Sequence, residues 1–157
     1  RDFCLSRGLG DVYKRQVKML AEAGDVVYVD SSVLIASMGS ELYSDWARSV
    51  LAKREVVTSV ITKVELARHA HRVGQSPDRL NQVWSAPSFV KVDDRVITAA
   101  VAVSGSVKAL DALHVGTWAS LRVAGLDCPF VTADRKQAAA ATAVGASVVH
   151  PYGEDLR

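Results

Sequence analysis

The arrangement of the chain follows from one segment, Val26-Val27-Tyr28-Val29-Asp30-Ser31-Ser32-Val33-Leu34-Ile35. Its first four residues are apolar and three of them are valine, which predicts a strand buried on both faces. Asp30 ends this strand, and the two serines lead into an apolar stretch that can be helical. Ligands of open parallel sheets bind outside the carboxyl ends of the strands, so Asp30 stands where a functional site is expected.

The chain has 157 residues, enough for a single domain with a sizeable core. Its 49% hydrophobic and 23% charged residues are typical of a soluble globular protein, and a net charge of +2 is too small to indicate a nucleic-acid partner by itself. Cys4 and Cys128 make neither a disulfide framework nor a zinc cluster. Because no apolar run reaches the roughly 18 residues of a membrane span and no signal-peptide core is evident, we expect a cytoplasmic protein without membrane contact.

The N-terminal residues differ from the rest of the chain. Residues 1–16 show no clear helix or strand period, and their glycines argue against regular structure. We interpret residues 1–24 as an extraneous or disordered segment and residues 25–157 as the functional domain. The alternative is a short native arm that docks on a partner.

From residue 25 onward, strand and helix patterns alternate. Strands are predicted at 26–29, 55–59, 88–92, 129–132 and 147–149, and helices at 41–54, 60–73, 76–84, 93–103, 111–125 and 134–145. Strands separated by helices pair in parallel through right-handed crossovers, which leaves helices on both faces of the sheet. The predicted fold class is therefore α/β, a three-layer α/β/α sandwich around a central parallel sheet of about five strands.

Four acidic residues are predicted at one edge of this sheet. Asp30 and Asp134 follow strands, Glu65 lies one to two turns into the helix after the second strand, and Asp111 begins a helix. Each has an ordinary structural explanation. The three aspartates precede helical stretches, where aspartate is a favoured N-cap, and Glu65 could pair on the helix surface with a basic residue three or four positions on, Arg68 or His69.

Capping does not explain why acids from four separate segments should share one edge. Two carboxylates about 4 Å apart repel each other by about 4 kcal/mol at an effective dielectric constant near 20. Such a cluster therefore needs a positive charge or bound protons. Hard divalent cations prefer oxygen ligands, and Mg²⁺ or Mn²⁺ held by carboxylates can activate water for attack on a phosphodiester.

Four segments together resemble a known family: Val29-Asp30-Ser31-Ser32, residues 58–68 around Glu65, Ala109-Leu110-Asp111-Ala112-Leu113-His114, and Val131-Thr132-Ala133-Asp134-Arg135-Lys136-Gln137. In this order and spacing they resemble the PIN domain family, and within it the VapC-type toxin ribonucleases of type II toxin–antitoxin systems. The resemblance covers about residues 25 to 150. It leaves everything before Asp25 outside the match.

The resemblance implies a function as well as a fold. Asp30, Glu65, Asp111 and Asp134 would form the catalytic quartet that binds Mg²⁺ or Mn²⁺, and Thr132, or less clearly Ser32, would orient it. The family cleaves RNA endonucleolytically by attack of water on phosphorus. Its toxins commonly form homodimers and are silenced by a cognate antitoxin protein, so the resemblance implies both as partners of this chain, beside RNA.

Basic residues near these acids are candidates for binding RNA through its phosphates: Arg68, Arg72, Arg135 and Lys136. Arg68 and Arg72 could equally form a solvated helix face. Arg135 and Lys136 stand at a helix start, where cations oppose the helix dipole, which favours a role facing phosphate. His114 could contact phosphate, but a buried helix histidine is the commoner case and is our expectation.

Two rival functions fit parts of the sequence. A PIN-like module could bind RNA or protein with little or no catalysis. A receiver-like α/β domain could use its acids for phosphorylation. In a domain of that class, however, we would expect a pair of acids after the first strand and a lysine near the last strand. This chain has one acid after the first strand and ends the last in His150-Pro151.

Overall fold

The computed structural model describes residues 3–52 and 54–153. Over these residues the chain forms, in order, α1 (Phe3–Ala23), β1 (Val26–Val29), α2 (Ser31–Met38), α3 (Ser44–Leu51), β2 (Glu55–Ser59), α4 (Ile61–Val73), α5 (Pro77–Ser85), β3 (Ser88–Val90), α6 (Asp94–Val101), α7 (Ala109–Val123), β4 (Phe130–Val131), α8 (Arg135–Ala143) and β5 (Val148–Val149).

The five strands form one sheet in the order β3-β2-β1-β4-β5, and every neighbouring pair is parallel. The α/β class and the parallel sheet of five strands are therefore confirmed. The segment from Val26 lies at the centre, and its neighbours β2 and β4 pair with it in register, with Tyr28 opposite both Val57 and Phe130. Since all strands run the same way, their carboxyl ends share one edge.

Alternate residues of β1 supply two separate cores, which is how a strand buried on both faces is expected to behave. Val26 and Tyr28 pack into one core with side chains from α1, α7 and α8. Val27 and Val29 pack into the other with side chains from α2, α3 and α4. Helices therefore cover both faces of the sheet, as the three-layer prediction requires.

The N-terminal prediction needs correction. Residues 3–23 are not irregular but form helix α1, because the apolar residues of its second half recur at helical spacing: Val17 and Leu20 are buried in the core, with Tyr13 packed beside them. The glycines that argued against regular structure are tolerated in the helix. The extraneous origin of residues 1–24 stays a prediction.

Two helix boundaries also differ from the predictions. The predicted helix at 41–54 is shorter, Ser44–Leu51, and a loop separates it from α2. Asp111 does not begin its helix but is the third residue of α7, where its carboxylate accepts the backbone N–H of Lys108 at 3.3 Å. Across the described residues, no helix combines the length and the apolar character that a membrane crossing demands.

Candidate functional site

Asp30 lies at the carboxyl end of the central strand and is 4% exposed. Its Oδ1 accepts hydrogen bonds from the backbone N–H groups of Ser32 at 3.1 Å and Val33 at 3.4 Å, so it caps α2. Burial nevertheless raises the pKa of this carboxyl, since these bonds and the nearby His114 only partly offset the loss of water. Among the described residues, no lysine or arginine forms an ion pair with it.

Two hydroxyl groups complete the surroundings of Asp30. Ser32 Oγ donates to Oδ1 at 2.5 Å, and Thr132 Oγ1 donates to Oδ2 at 2.5 Å. The same hydroxyls accept backbone N–H groups from the loop after β4, Ser32 from Ala133 at 2.8 Å and Thr132 from Asp134 at 2.9 Å. The pairing of β1 with β4 makes this possible, and it ties the Asp134 loop to Asp30.

Glu65 lies on α4 with its side chain 19% exposed, and its Oε2 is 2.9 Å from Nε2 of His114. The partner of Glu65 is therefore His114 and not Arg68 or His69, the surface partners considered from the sequence. His69 instead contacts Arg72. His114 is 2% exposed, so the expectation of a buried histidine is confirmed.

Asp111 and Asp134 are connected through Gln137. The backbone N–H of Gln137 donates to Oδ1 of Asp134 at 2.9 Å, which makes Asp134 the N-cap of α8. The side-chain amide of Gln137 donates to the backbone carbonyl of Asp111 at 3.1 Å. Gln137 is 1% exposed, so its side of both contacts is buried, whereas Asp134 itself is exposed.

Hydrogen bonds thus join three of the four acids, each through one intervening residue. Thr132 connects Asp30 to Asp134, and Gln137 connects Asp134 to Asp111. Glu65 is joined instead to His114, which is one turn after Asp111 on α7. Within residues 3–52 and 54–153, however, no three His, Cys, Asp or Glu side chains come close enough to hold a metal ion together. Each carboxylate is bonded to a partner of its own.

The donor set fits a hard divalent cation in its chemistry. The acids and the two hydroxyls offer oxygen ligands, which Mg²⁺ and Mn²⁺ prefer. Asp30 gives the more specific evidence. Its carboxylate is buried and has no ion pair in the described chain, and a nearby cation would stabilise its charged form. For Asp30 and other acids to share one ion, their side chains would have to come closer together than the described structure holds them.

The predicted RNA-binding residues are exposed: Arg68, Arg72, Arg135 and Lys136. Arg68 and Arg72 lie on α4, one and two turns beyond Glu65. Arg135 lies 4.5 Å over the ring of Tyr152, and the Tyr152 hydroxyl donates to the carbonyl of Ala133. The two basic groups therefore lie on separate elements beside different acids.

Sequence reasoning missed several residues of this network. Gln137 stood three residues after Asp134, the spacing at which a cap bonds its helix, and this could have marked it as a partner. Tyr28 is the one polar side chain in the buried strand, which could have marked it as a group needing a hydrogen-bond partner. Nothing local to Tyr152 indicates its contact with the Asp134 loop.

Comparisons with known proteins agree with this architecture. A family model described as the PIN domain matches residues 27–157. No curated protein matches the chain.

Solved structures resemble the fold at low sequence identity. A toxin–antitoxin complex from Klebsiella pneumoniae aligns with a TM-score of 0.63 at 20% identity, covering 80% of this chain and 98% of the other. A VapBC complex from Rickettsia felis, bound to a DNA fragment from its promoter, aligns with a TM-score of 0.56 at 10% identity, covering 80% and 98%. A member of the VapBC toxin–antitoxin family from Mycobacterium tuberculosis gives a TM-score of 0.50 at 21% identity, covering 80% and 97%.

Proposed function

Because the chain belongs to the PIN domain family, we propose that it is a Mg²⁺- or Mn²⁺-dependent endoribonuclease, the VapC-type toxin of a toxin–antitoxin pair. The observation that carries the proposal is the buried carboxylate of Asp30. It lies at the carboxyl end of the central strand, the edge where sites of parallel sheets form, and it is 4% exposed with a raised pKa. A stable protein gains little from a buried, unpaired charge unless that charge binds something.

In this proposal Asp30, Glu65, Asp111 and Asp134 hold the ion. When bound, a divalent cation lowers the pKa of water and stabilises charge that develops on a phosphodiester. Thr132 and Ser32 hold both oxygens of Asp30 in a fixed orientation, which reduces the reorganisation needed when a ligand arrives. Arg68, Arg72, Arg135 and Lys136 would bind the RNA through its phosphates, which positions the strand without reading its sequence.

The partners follow from the family and from the similar structures. One of the similar structures is a toxin–antitoxin complex, and two others are VapBC proteins, one of them described as a member of a family of toxin–antitoxin systems. We therefore propose a cognate antitoxin as a protein partner, and a homodimer as the state of the toxin. A cytoplasmic location agrees with RNA as substrate and stays a proposal.

One observation favours a second candidate, a PIN-like module that binds RNA or protein with little or no catalysis. In the part of the chain that the structure describes, the acids do not form a three-ligand group, and each is used in a local hydrogen bond. Such a module would retain the fold and the basic residues but would not cut RNA.

The test compares two aspartates that have the same structural role. Asp30 and Asp93 are both N-caps that accept two backbone N–H groups, but Asp93 caps α6 and pairs with Arg95. Purified wild type, Asp30→Asn and Asp93→Asn are incubated with end-labelled total RNA in Mg²⁺, Mn²⁺ or EDTA. Asparagine keeps the cap in both variants, removes the charge and replaces one acceptor oxygen with an NH2 donor.

We expect cleavage that requires the metal and that falls by about 100-fold or more in Asp30→Asn, because even outer partners of metal ligands are worth about 10- to 100-fold. Asp93→Asn should cut like wild type. Equal cutting by all three proteins would indicate a contaminating nuclease and would refute the assignment of Asp30. Bound but uncut RNA with wild type in both metals would favour the binding module.

A further inference from the structure

His114 joins the buried sheet to the acidic edge. Its Nδ1 is 2.9 Å from the hydroxyl of Tyr28 on β1, and its Nε2 is 2.9 Å from Oε2 of Glu65 on α4. We infer that His114 is a positioning residue, which fixes the carboxylate of Glu65 for metal binding and is itself held by Tyr28. This inference deepens the proposed function and rests on it for the identity of the bound ion.

The direction of the bond to Glu65 does not depend on the charge of the ring. An ionised carboxylate only accepts hydrogen bonds, so Nε2 must carry a proton and donate it. With a neutral ring, Nδ1 then accepts from the Tyr28 hydroxyl.

The ring is held firmly enough to position its partner. Tyr28 is fully buried, and its ring packs against Phe130 with centroids 5.0 Å apart, so the hydroxyl is a fixed reference point. His114 is 2% exposed, which leaves the ring little room to rotate. An apolar residue could fill this space, but it would leave the Tyr28 hydroxyl and Glu65 without these partners.

The placement of the three residues suits an outer shell of a metal site. Tyr28 lies on β1 two residues before Asp30, and His114 follows Asp111 by one helical turn on α7. The hydrogen bonds of His114 therefore connect Glu65 to the two parts of the chain that carry Asp30 and Asp111. They limit the rotamers of the Glu65 side chain, which is 19% exposed.

The experiment uses four variants of the full chain: His114→Leu, His114→Gln, Tyr28→Phe and Ser120→Ala. Glutamine can present an N–H near the position of Nε2, whereas leucine fills the space without a donor. Ser120→Ala is the matched control, since Ser120 is also buried on α7 and donates to the carbonyl of Thr117, but has no contact with an acid in the described structure. Mn²⁺ binding is measured by electron paramagnetic resonance without RNA, and thermal unfolding shows that each variant is folded.

We expect His114→Leu to weaken Mn²⁺ binding by about 10- to 100-fold, His114→Gln to recover most of the loss, and Ser120→Ala to bind like wild type. Tyr28→Phe removes a single oxygen and should give a smaller loss. If His114→Leu does not fold, the Mn²⁺ affinity of Tyr28→Phe still tests the inference. Unchanged Mn²⁺ affinity in the folded His114 variants and in Tyr28→Phe, or an equal loss in Ser120→Ala, would overturn the inference.

A second readout needs neither metal nor activity. In the metal-free protein, nuclear magnetic resonance of the histidine ring should show a slowly exchanging Nε2 proton on His114, and Glu65→Gln should shift it because a charged acceptor is lost. A resonance that ignores Glu65→Gln would refute the bond. If this bond and its effect on Mn²⁺ binding are present but RNA is not cut, the proposed ribonuclease fails while the positioning role stands.

Discussion

Gly116→Ala tests how closely the position of α7 controls the site. Gly116 lies in the middle of α7, where the backbone of α6 crosses it. A Cβ at this position would lie 2.7 Å from the amide nitrogen of Ala100, 2.7 Å from the carbonyl oxygen of Val96 and 2.9 Å from Cα of Ala100. All three atoms are backbone of one helix, so no side-chain rotation can relieve the contacts.

The size of the effect follows from these distances. Carbon atoms pack at about 3.5 Å or more, so the contact of 2.9 Å with Cα of Ala100 alone requires the two helices to separate by about 0.6 Å around the new methyl group. Overpacking of this kind costs about 1–3 kcal/mol, and alanine returns about 1 kcal/mol through its better helix propensity. We expect a net loss of up to about 2 kcal/mol in the free energy of unfolding.

The same shift should affect activity. Asp111 and His114 are both on α7, and a displacement of about 1 Å in a site can cost about 100-fold in rate. RNA cleavage by Gly116→Ala should therefore fall by about tenfold or more under conditions where the protein remains folded. Asp111 and His114 need not change chemically for this loss to occur.

Urea unfolding and RNA cleavage are measured for wild type, Gly116→Ala and a control, Gly39→Ala. At Gly39 a Cβ would meet its nearest atom at 3.7 Å, and φ is −94°, so alanine fits there without strain. The control should stay within about 0.5 kcal/mol of wild type. If Gly116→Ala is as stable and as active as Gly39→Ala, then the close helix contact does not hold α7 in place and the reasoning fails.

Three further predictions concern single groups. Burial raises the pKa of Asp30 above the value of about 3.9 that it has in the unfolded chain. Between these two pKa values the folded protein holds a proton that the unfolded chain has lost, so the free energy of unfolding falls as the pH rises through this window. In EDTA, Asp30→Asn should therefore be more stable than wild type at pH 7, with the difference disappearing at low pH; urea unfolding that shows the variant less stable at pH 7 would contradict this. Thr132→Val should lower the free energy of unfolding by about 1–3 kcal/mol, while Thr132→Ser keeps the donor and most of the stability, and equal losses would show that the hydroxyl contributes nothing. Burial raises the pKa of the Cys128 thiol to about 11, so in a Cys4→Ser background Cys128 should react with a thiol reagent at pH 8 only as fast as the protein unfolds, and rapid labelling of the folded protein would refute its burial.

The central strand shows why much of this fold could be predicted. Three valines and a tyrosine in a run long enough for a strand, followed by a capping aspartate, strongly favour one local structure, and Val26–Val29 adopts it. Parallel pairing then followed from the alternation with helices, without knowledge of any contact. The pairing of β1 with β4, which brings Thr132 to Asp30, depends on the order of the strands in the sheet. The sequence did not predict that order, and only the family resemblance implied a role for Thr132 beside the acids.

Other features depend on contacts that no local pattern contains. Helix α1 gains its order from Val17 and Leu20, which pack against distant parts of the core. The partner of Glu65 is 49 positions away, and a neighbouring basic residue was the natural expectation from the helix alone. His114 could be predicted as buried, but its two partners lie on separate elements and become visible only in the folded chain.

The capping and the catalytic interpretations of the aspartates are compatible, and Asp30 shows how they can be separated. Asp30 does cap α2, but asparagine or serine would cap it about as well. Neither would bring the cost of a charge that is 4% exposed. Capping therefore explains why a short polar residue occupies the position, and it does not explain why that residue is ionisable. The choice of aspartate is explained if the carboxylate binds a cation, which is why the stability of Asp30→Asn in EDTA and its activity with metal should change in opposite directions.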